Sequence, residues 1–254
     1  MRVIARERAS NGASRAPLPM ALARPLFVGR ASPVRASSSA TPPPFALFVR
    51  EARDSGELRA AAGLRALSFY TYPAGRSAFA QSSHQRMKAD AEWAALEGKT
   101  ARSDPVWACC QVTCLLALAE TGDATRHLFQ NASSPGLSLQ VPGCAVCGTL
   151  DLNTGPQLPS EQLYGREGAG QGERAYISNV AVLPAARRLG VARELLAEAV
   201  SRAALGGVKA LYVHVAADND AAIALYAACG FEVEAEERAE AAGHAPHLLL
   251  LRRL

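Results

Sequence analysis

Arg187-Arg188-Leu189-Gly190-Val191-Ala192 links an apolar run to an amphipathic stretch that ends at Leu205. Residues of these types at a helix start can hold a pyrophosphate. Such binding needs several backbone N–H groups pointing one way, with a helix dipole behind them. Gly190 and Ala192 are small enough for phosphate oxygens to approach the main chain, and Arg187, Arg188 and Arg193 add positive charge. An ordinary strand-to-helix loop could use the same small residues. A dinucleotide fingerprint is not what is written here: Gly-x-Gly-x-x-Gly is missing, as is an acidic ribose ligand on a following strand.

The elements around this turn follow from periodicity and punctuation. Tyr176–Val182 is predicted as a strand, Gly190–Leu205 as a helix, and Gly206-Gly207 as its stop. Ala210–Ala216 is a further strand, Asn219–Cys229 a short helix, and Phe231–Ala235 with His247–Leu251 a closing pair. Upstream, Phe45–Ala52 alternates with Phe45, Leu47 and Val49 on one face. Asp54-Ser55-Gly56 supplies turn and cap chemistry for a helix over Glu57–Phe69, with Leu58, Leu64 and Leu67 inward. A second helix over 79–98 is expected to pack through Met87, Trp93 and Leu96. Strand-length apolar runs come at Val106–Ala119 and Gly143–Asn153. Residues 121–142 and 154–172, rich in Gly, Pro, Ser and Gln, read as surface insertions, the second a mobile one. This alternation predicts the α/β class: a single mixed-sheet domain over residues 45–254.

Composition divides the chain in two. Residues 1–44 hold seven Arg, no Lys and one acid, so they carry +6 against +4 for the whole chain, and residues 45–254 carry −2. The basic balance belongs to the leader, and it gives no ground for a nucleic-acid partner. An Arg-rich, Ser-rich, acid-poor leader is the composition of an organelle transit peptide, here expected to be disordered. Met20–Val28 is broken by Arg24 and Pro25, which speaks against a secretory signal. Import into a chloroplast stroma is expected, with cleavage near Val34-Arg35-Ala36-Ser37; a mitochondrion and a plain basic tail are the alternatives. No segment reaches the ~20 apolar residues of a membrane span.

Cys144-x-x-Cys147 with Cys110 or Cys114 could make a four-thiolate zinc site, or a regulatory disulfide. Because Cys109, Cys110, Cys114, Cys144 and Cys147 lie in or beside apolar runs, they are expected as small buried hydrophobes. No metal is expected.

Around the phosphate turn, Asn179-Val180-Ala181-Val182-x-Pro184 leads in, and Asn219, Ala222, Leu225, Tyr226, Gly230 and Phe231 follow at fixed spacing. With Arg187-Arg188-Leu189-Gly190-Val191-Ala192 matching Gln/Arg-x-x-Gly-x-Gly/Ala, residues 174–232 resemble the core of the GCN5-related N-acetyltransferases. Those enzymes move the acetyl group of acetyl-CoA onto an amine. The leader in front of such a core resembles the plastid members that acetylate protein Lys side chains or N-termini.

The resemblance implies a site. Val180, Ala181 and Val182 would line the pantetheine arm in a strand splayed from its neighbour, and a backbone N–H there would polarise the thioester carbonyl. Arg187, Arg188, Leu189, Gly190, Val191, Ala192 and Arg193 would hold the pyrophosphate, and Asn219, Asp220 and Ala221 would touch the cofactor from the other side. Tyr226 is implied as general acid to the CoA thiolate, since a phenol of pKa near ~10 is matched to a thiol; a packing Tyr is the plain alternative. His214, where protein N-terminus acetylators commonly carry Glu, is the implied general base, with Glu173 a second candidate and a packing role the alternative. Glu232-Val-Glu-Ala-Glu-Glu-Arg-Ala-Glu240 would put an acidic rim at the amine entrance, or simply a solvated face. The expected acceptor is a protein or peptide amine. A small amine such as a polyamine or amino acid, and a non-catalytic CoA-binding module, are the competing possibilities.

Overall fold

The computed structural model describes residues 45–130, 136–155, 158, 173–237 and 246–254; the leader and most of 154–172 lie outside them. Strand β1 (Leu47–Glu51) leads into helices α1 (Ser55–Phe69) and α2 (Ala78–Thr100), then β2 (Gln111–Glu120). A short helix α3 (Asp123–Phe129), a two-residue strand β3 (Gln140–Val141) and the long β4 (Cys144–Thr154) follow. Then come β5 (Arg174–Val182), α4 (Val191–Leu205), β6 (Ala210–Ala216), α5 (Asp220–Ala228), β7 (Glu232–Glu237) and β8 (His247–Arg253). The main sheet runs β1-β2-β4-β5-β6-β8-β7, with β3 appended to β4. All neighbours are antiparallel except β5 and β6, which are joined by the crossover helix α4 and run parallel.

Each helix starts where its cap chemistry allows. Asp54 accepts from the Glu57 N–H at the head of α1, Ser77 from Ala80 at the head of α2, and Asn219 from Ala222 at the head of α5. Helix α4 stops at Gly206, and Gly207 takes a φ of 80° just beyond. Leu115–Ala119, Val146, Leu150, Ile177, Leu195, Leu196 and Val213 form one core between the sheet and its helices.

Several expectations are corrected. Met87 is 57 % exposed; α2 meets the core through Ala89 and Leu96, with Trp93 packed at the edge. The run from Val106 is not all strand: Asp104 caps a single 3₁₀ turn at Pro105–Trp107, Val106 is solvent-exposed, and β2 begins at Gln111. Cys109 is exposed and Cys144 half-buried, while Cys110, Cys114 and Cys147 are buried as expected. The interval 121–142 is more than a surface insertion, because Leu128 of α3 and Leu139 both join the core. The mobility expected of 154–172 falls outside the described residues, apart from Leu158, which packs beside Tyr176, Tyr212 and Leu249.

Burial pushes the Cys114 and Cys147 thiols up to about 12, which keeps them protonated packing groups. Cys147 is the extra residue of a β-bulge in β4, where Leu118 pairs with Val146 and Ala117 with Gly148. Among the described residues there is no group of three or more His, Cys, Asp or Glu able to hold a metal. None of the described helices is long and apolar enough to cross a membrane.

Gly148 marks the closest contact between sheet and crossover helix. A Cβ there would lie 2.7 Å from Val191 Cγ1 and 2.9 Å from Leu195 Cδ1. Val191 is β-branched and begins α4, so it cannot swing aside easily. Gly148→Ala is expected to destabilise the fold by about 1–3 kcal/mol through overpacking, read from the midpoint of a urea unfolding curve.

Candidate functional site

Strand β5 is held along one edge and released along the other. Its parallel pairing with β6 covers only Arg174–Ile177 against Ala210–Val213. On the β4 side the ladder continues to Val182 opposite Gly148. The register shifts between Thr149 and Asp151, which pair with Ala181 and Ser178, leaving Asn179 and Val180 both opposite Leu150. That two-against-one arrangement is a β-bulge, and Asn179 enters it with a φ of 54°. A bulge bends its strand and strengthens the local twist. It comes directly after the last β5–β6 pair, so the two strands part and leave a cleft.

The turn at the mouth of this cleft is built by Leu183–Gly190. Pro184–Ala186 forms a 3₁₀ turn, Arg187 is extended, and Arg188 and Gly190 take φ values of 66° and 84°. Backbone of alternating handedness curls successive N–H groups into an anion-binding concavity. Gly190 caps α4 with no side-chain bond, and Arg193 and Glu194 are the first to donate back to its carbonyl. Among the described residues, the N–H groups of Arg188, Leu189, Gly190, Val191 and Ala192 have no partner. Arg187 and Arg188 are exposed and Arg193 is half-buried. This is the arrangement expected for a pyrophosphate: free donors, a helix dipole and nearby cations.

Across the cleft, α5 carries Tyr226. Its ring packs edge-on against Phe231 with 5.7 Å between centroids, and its side chain has no exposed surface. Its hydroxyl has no hydrogen-bond partner among the described residues. An unpaired buried hydroxyl costs about 1–3 kcal/mol, so its persistence asks for a reason. Burial first, then the Tyr176 phenol and the Cys229 thiol, push its pKa well above the usual phenol range. The group is therefore a protonated donor. Asn219 is the cap of α5, while Asp220 and Ala221 are exposed in its first turn.

His214 sits one residue beyond the last β5–β6 pair, half-buried, with Nδ1 2.9 Å from the Tyr176 hydroxyl. Glu173 lies at the opposite end of β5, where its carbonyl accepts from Lys209 and Ala210. The fold brings His214 to the cleft and leaves Glu173 away from it. Val180, Ala181 and Val182 are buried beyond the bulge in the released segment. Glu232, Glu234 and Glu236 are exposed on β7, the edge strand, and the rest of the acidic stretch falls largely outside the described residues.

Sequence reasoning missed the polar network beneath the bulge. Arg65 of α1 is 1 % exposed and grips Asp151 through two contacts, 3.0 Å from Nη1 and 2.5 Å from Nη2. It also donates to Glu92 and Thr149. Burial alone would lower the Arg65 pKa; Asp151 and Glu92 outweigh that and hold the guanidinium charged. Asn179 Nδ2 donates to Asp151 at 2.8 Å, and the buried Asn153 donates to the Tyr176 carbonyl and the Ser178 hydroxyl. The available signal was a lone Asp in CAVCGTLDL and the second of two Arg in an Ala-rich helix, both at positions the apolar pattern calls inward.

With this geometry in view, comparison with known proteins is decisive. The chain is 33 % identical over 216 residues to the GCN5-related N-acetyltransferase 7, chloroplastic, of Arabidopsis thaliana, covering 83 % of this chain and 77 % of that protein. It belongs to the GCN5-related N-acetyltransferase family. The profile of the Acetyltransferase (GNAT) family matches residues 120–231, from the end of β2 to the residue before β7. The GCN5-related N-acetyltransferase 6, chloroplastic, of the same plant is 36 % identical over 99 residues, 35 % of this chain and 34 % of that one. A GNAT-family acetyltransferase structure from Desulfovibrio desulfuricans superposes with a TM-score of 0.50 at 15 % identity, over 82 % of this chain and 99 % of its own. That likeness concerns the fold.

A GNAT enzyme takes its acetyl group from acetyl-CoA, and the residues here fit that donor. The unbonded turn can take the pyrophosphate, and the released edge of β5 can pair with an extended arm. A side chain at Gly190 would strain a left-handed position. Gly190→Ala is expected to make the turn rearrange to relieve about 1–2 kcal/mol, weakening CoA binding about tenfold in isothermal titration calorimetry.

Proposed function

We propose that this GNAT enzyme acetylates protein amines, Lys side chains or N-termini, in the chloroplast stroma. The observation that carries the chemistry is the cleft between β5 and β6, with unbonded N–H groups at its mouth and, on α5, a buried phenol that has no hydrogen-bond partner among the described residues. The plastid setting is supported by the chloroplastic relatives and by the Arg-rich leader, which we propose ends near residue 44, the catalytic domain following from residue 45. The exposed Glu232, Glu234 and Glu236 favour a cationic acceptor, to which an acidic edge is complementary.

In this reading Val180, Ala181 and Val182 pair with the pantetheine arm, and a bulge N–H donates to the thioester oxygen as charge builds there. Residues 187–193 fasten the pyrophosphate, and Asn219, Asp220 and Ala221 border the donor from α5. His214 takes a proton from the incoming amine, directly or through water, while its contact to Tyr176 orients the ring. The amine nitrogen attacks the acetyl carbon, the carbon–sulfur bond breaks, and Tyr226 delivers its proton to the departing sulfur.

Tyr226→Phe is expected to lower kcat by about 10²-fold while CoA affinity is kept, since only the proton donor is lost. Because burial raises the Tyr226 pKa, no alkaline fall in kcat that belongs to this group is expected below pH ~10. A Tyr226→Phe enzyme with full turnover would remove the residue from the reaction.

For His214→Ala, the expectation is a fall in kcat of about 10²-fold with CoA affinity kept. Unchanged turnover would assign the base elsewhere. The acceptor class is tested by incubating the protein with acetyl-CoA, a peptide library and a panel of polyamines and amino acids, with products identified by mass spectrometry. Acetylated peptides are expected; acetylation confined to the small amines would overturn the protein-acceptor reading.

A further inference from the structure

The network under the bulge is buried, and it touches the residue that makes the cleft. Asn179 is one of three non-glycine residues with positive φ among the described ones, and the only one of them inside a strand. Left-handed backbone is costly for a side chain unless something local holds it. Here the Asn179 amide donates to Asp151 Oδ2 at 2.8 Å. Asp151 is itself immobile: it is 1 % exposed and clamped by both terminal nitrogens of Arg65. Arg65 is fixed in turn by Thr149 on the same strand and Glu92 on α2. A buried pair of this kind is weak evidence for stability, because apolar residues of similar volume often serve as well. Its connection to one strained residue suggests a different use.

We propose that Asp151, braced by Arg65, is a positioning residue for acetyl transfer: it pins Asn179 in left-handed backbone, so that the bulge aims its N–H groups at the thioester carbonyl. Both charged side chains are buried. Each acts through the Asn179 amide and the path of β5. The proposal rests on the reading that the bulge polarises that carbonyl.

The test compares wild type, Asp151→Asn, Asn179→Ala, Asn179→Gly and the Asp151→Asn/Asn179→Gly double variant, all as full chains. Isotopically labelled acetyl-CoA is added without amine, and its carbonyl stretch is followed by infrared difference spectroscopy. Turnover is measured separately with an accepted amine. In wild type the stretch should move to lower frequency on binding. Asn179→Ala and Asp151→Asn should lose most of that movement and about 10²-fold in kcat, with KM for acetyl-CoA changed less than about threefold. Asn179→Gly lacks the amide but adopts positive φ freely, so it should recover most of the shift and of kcat. In its background Asp151→Asn should cost little more, because Asp151 acts through Asn179.

Asn179→Ala with the wild-type shift and turnover would overturn the proposal. So would Asn179→Gly as impaired as Asn179→Ala, since that would place the requirement in the amide and not in the backbone it holds. No carbonyl shift in wild type would instead defeat the polarising bulge, and the proposal with it. Should Asp151→Asn fail to fold, the Ala and Gly variants of the half-buried Asn179 still decide the matter.

Discussion

Parallel pairing between β5 and β6 ends at Ile177 and Val213, and the rest of the site is arranged around that ending. A sheet that stayed paired would present no free edge in its interior, because each central strand spends its N–H and C=O groups on both neighbours. Here β5 keeps its bonds to β4 as far as Val182 while it leaves β6, so a row of main-chain groups opens in the middle of the domain. The crossover helix α4 begins just beyond that row, and α5 closes the other side. A donor with a charged head and a thin polar arm suits such a slot: the head meets a helix start and the arm meets a strand edge.

The cost of the opening is carried by side chains on the far side of the same strands. Asp151 meets Arg65 and Asn179, and Asn153 meets the Tyr176 carbonyl and Ser178. These bonds act as braces at the point where regular pairing is interrupted. Gly148 has a matching role on the opposite face, where the absence of a side chain lets Val191 and Leu195 seat the crossover helix close to β4. One face therefore relies on polar bracing and the other on the removal of bulk. Between them they set where the released segment and the phosphate turn come to rest.

Tyr226 on α5 and His214 on β6 show how differently a local pattern translates into a site. The spacing from Asn219 to Phe231 puts Tyr226 on the inner side of a capped two-turn helix, and it is buried there as its pattern requires. His214 stands out in the sequence only through the family resemblance, at a position where relatives commonly carry Glu. Its interest arises from the contact with Tyr176, which lies 38 positions away in sequence and on the neighbouring strand. Glu173, the second candidate, lies at the other end of β5.

Sequence by itself determined what depends on neighbours a few residues apart. The caps at Asp54 and Asn219, the stop at Gly206-Gly207, the small residues of the phosphate turn and the inward face of α5 are all local matters of propensity and periodicity. The order of the main elements followed from them. Tertiary structure alone decided the rest. Met87 remained in water because α2 touches the core along only part of its length, and Val106 because a capped turn forestalled the strand. The bulge at Asn179 and the Arg65–Asp151 brace belong to this second group. A register shift and a buried ion pair exist only between chain segments distant in sequence, here 86 residues apart for Arg65 and Asp151, so no local pattern could have announced their pairing.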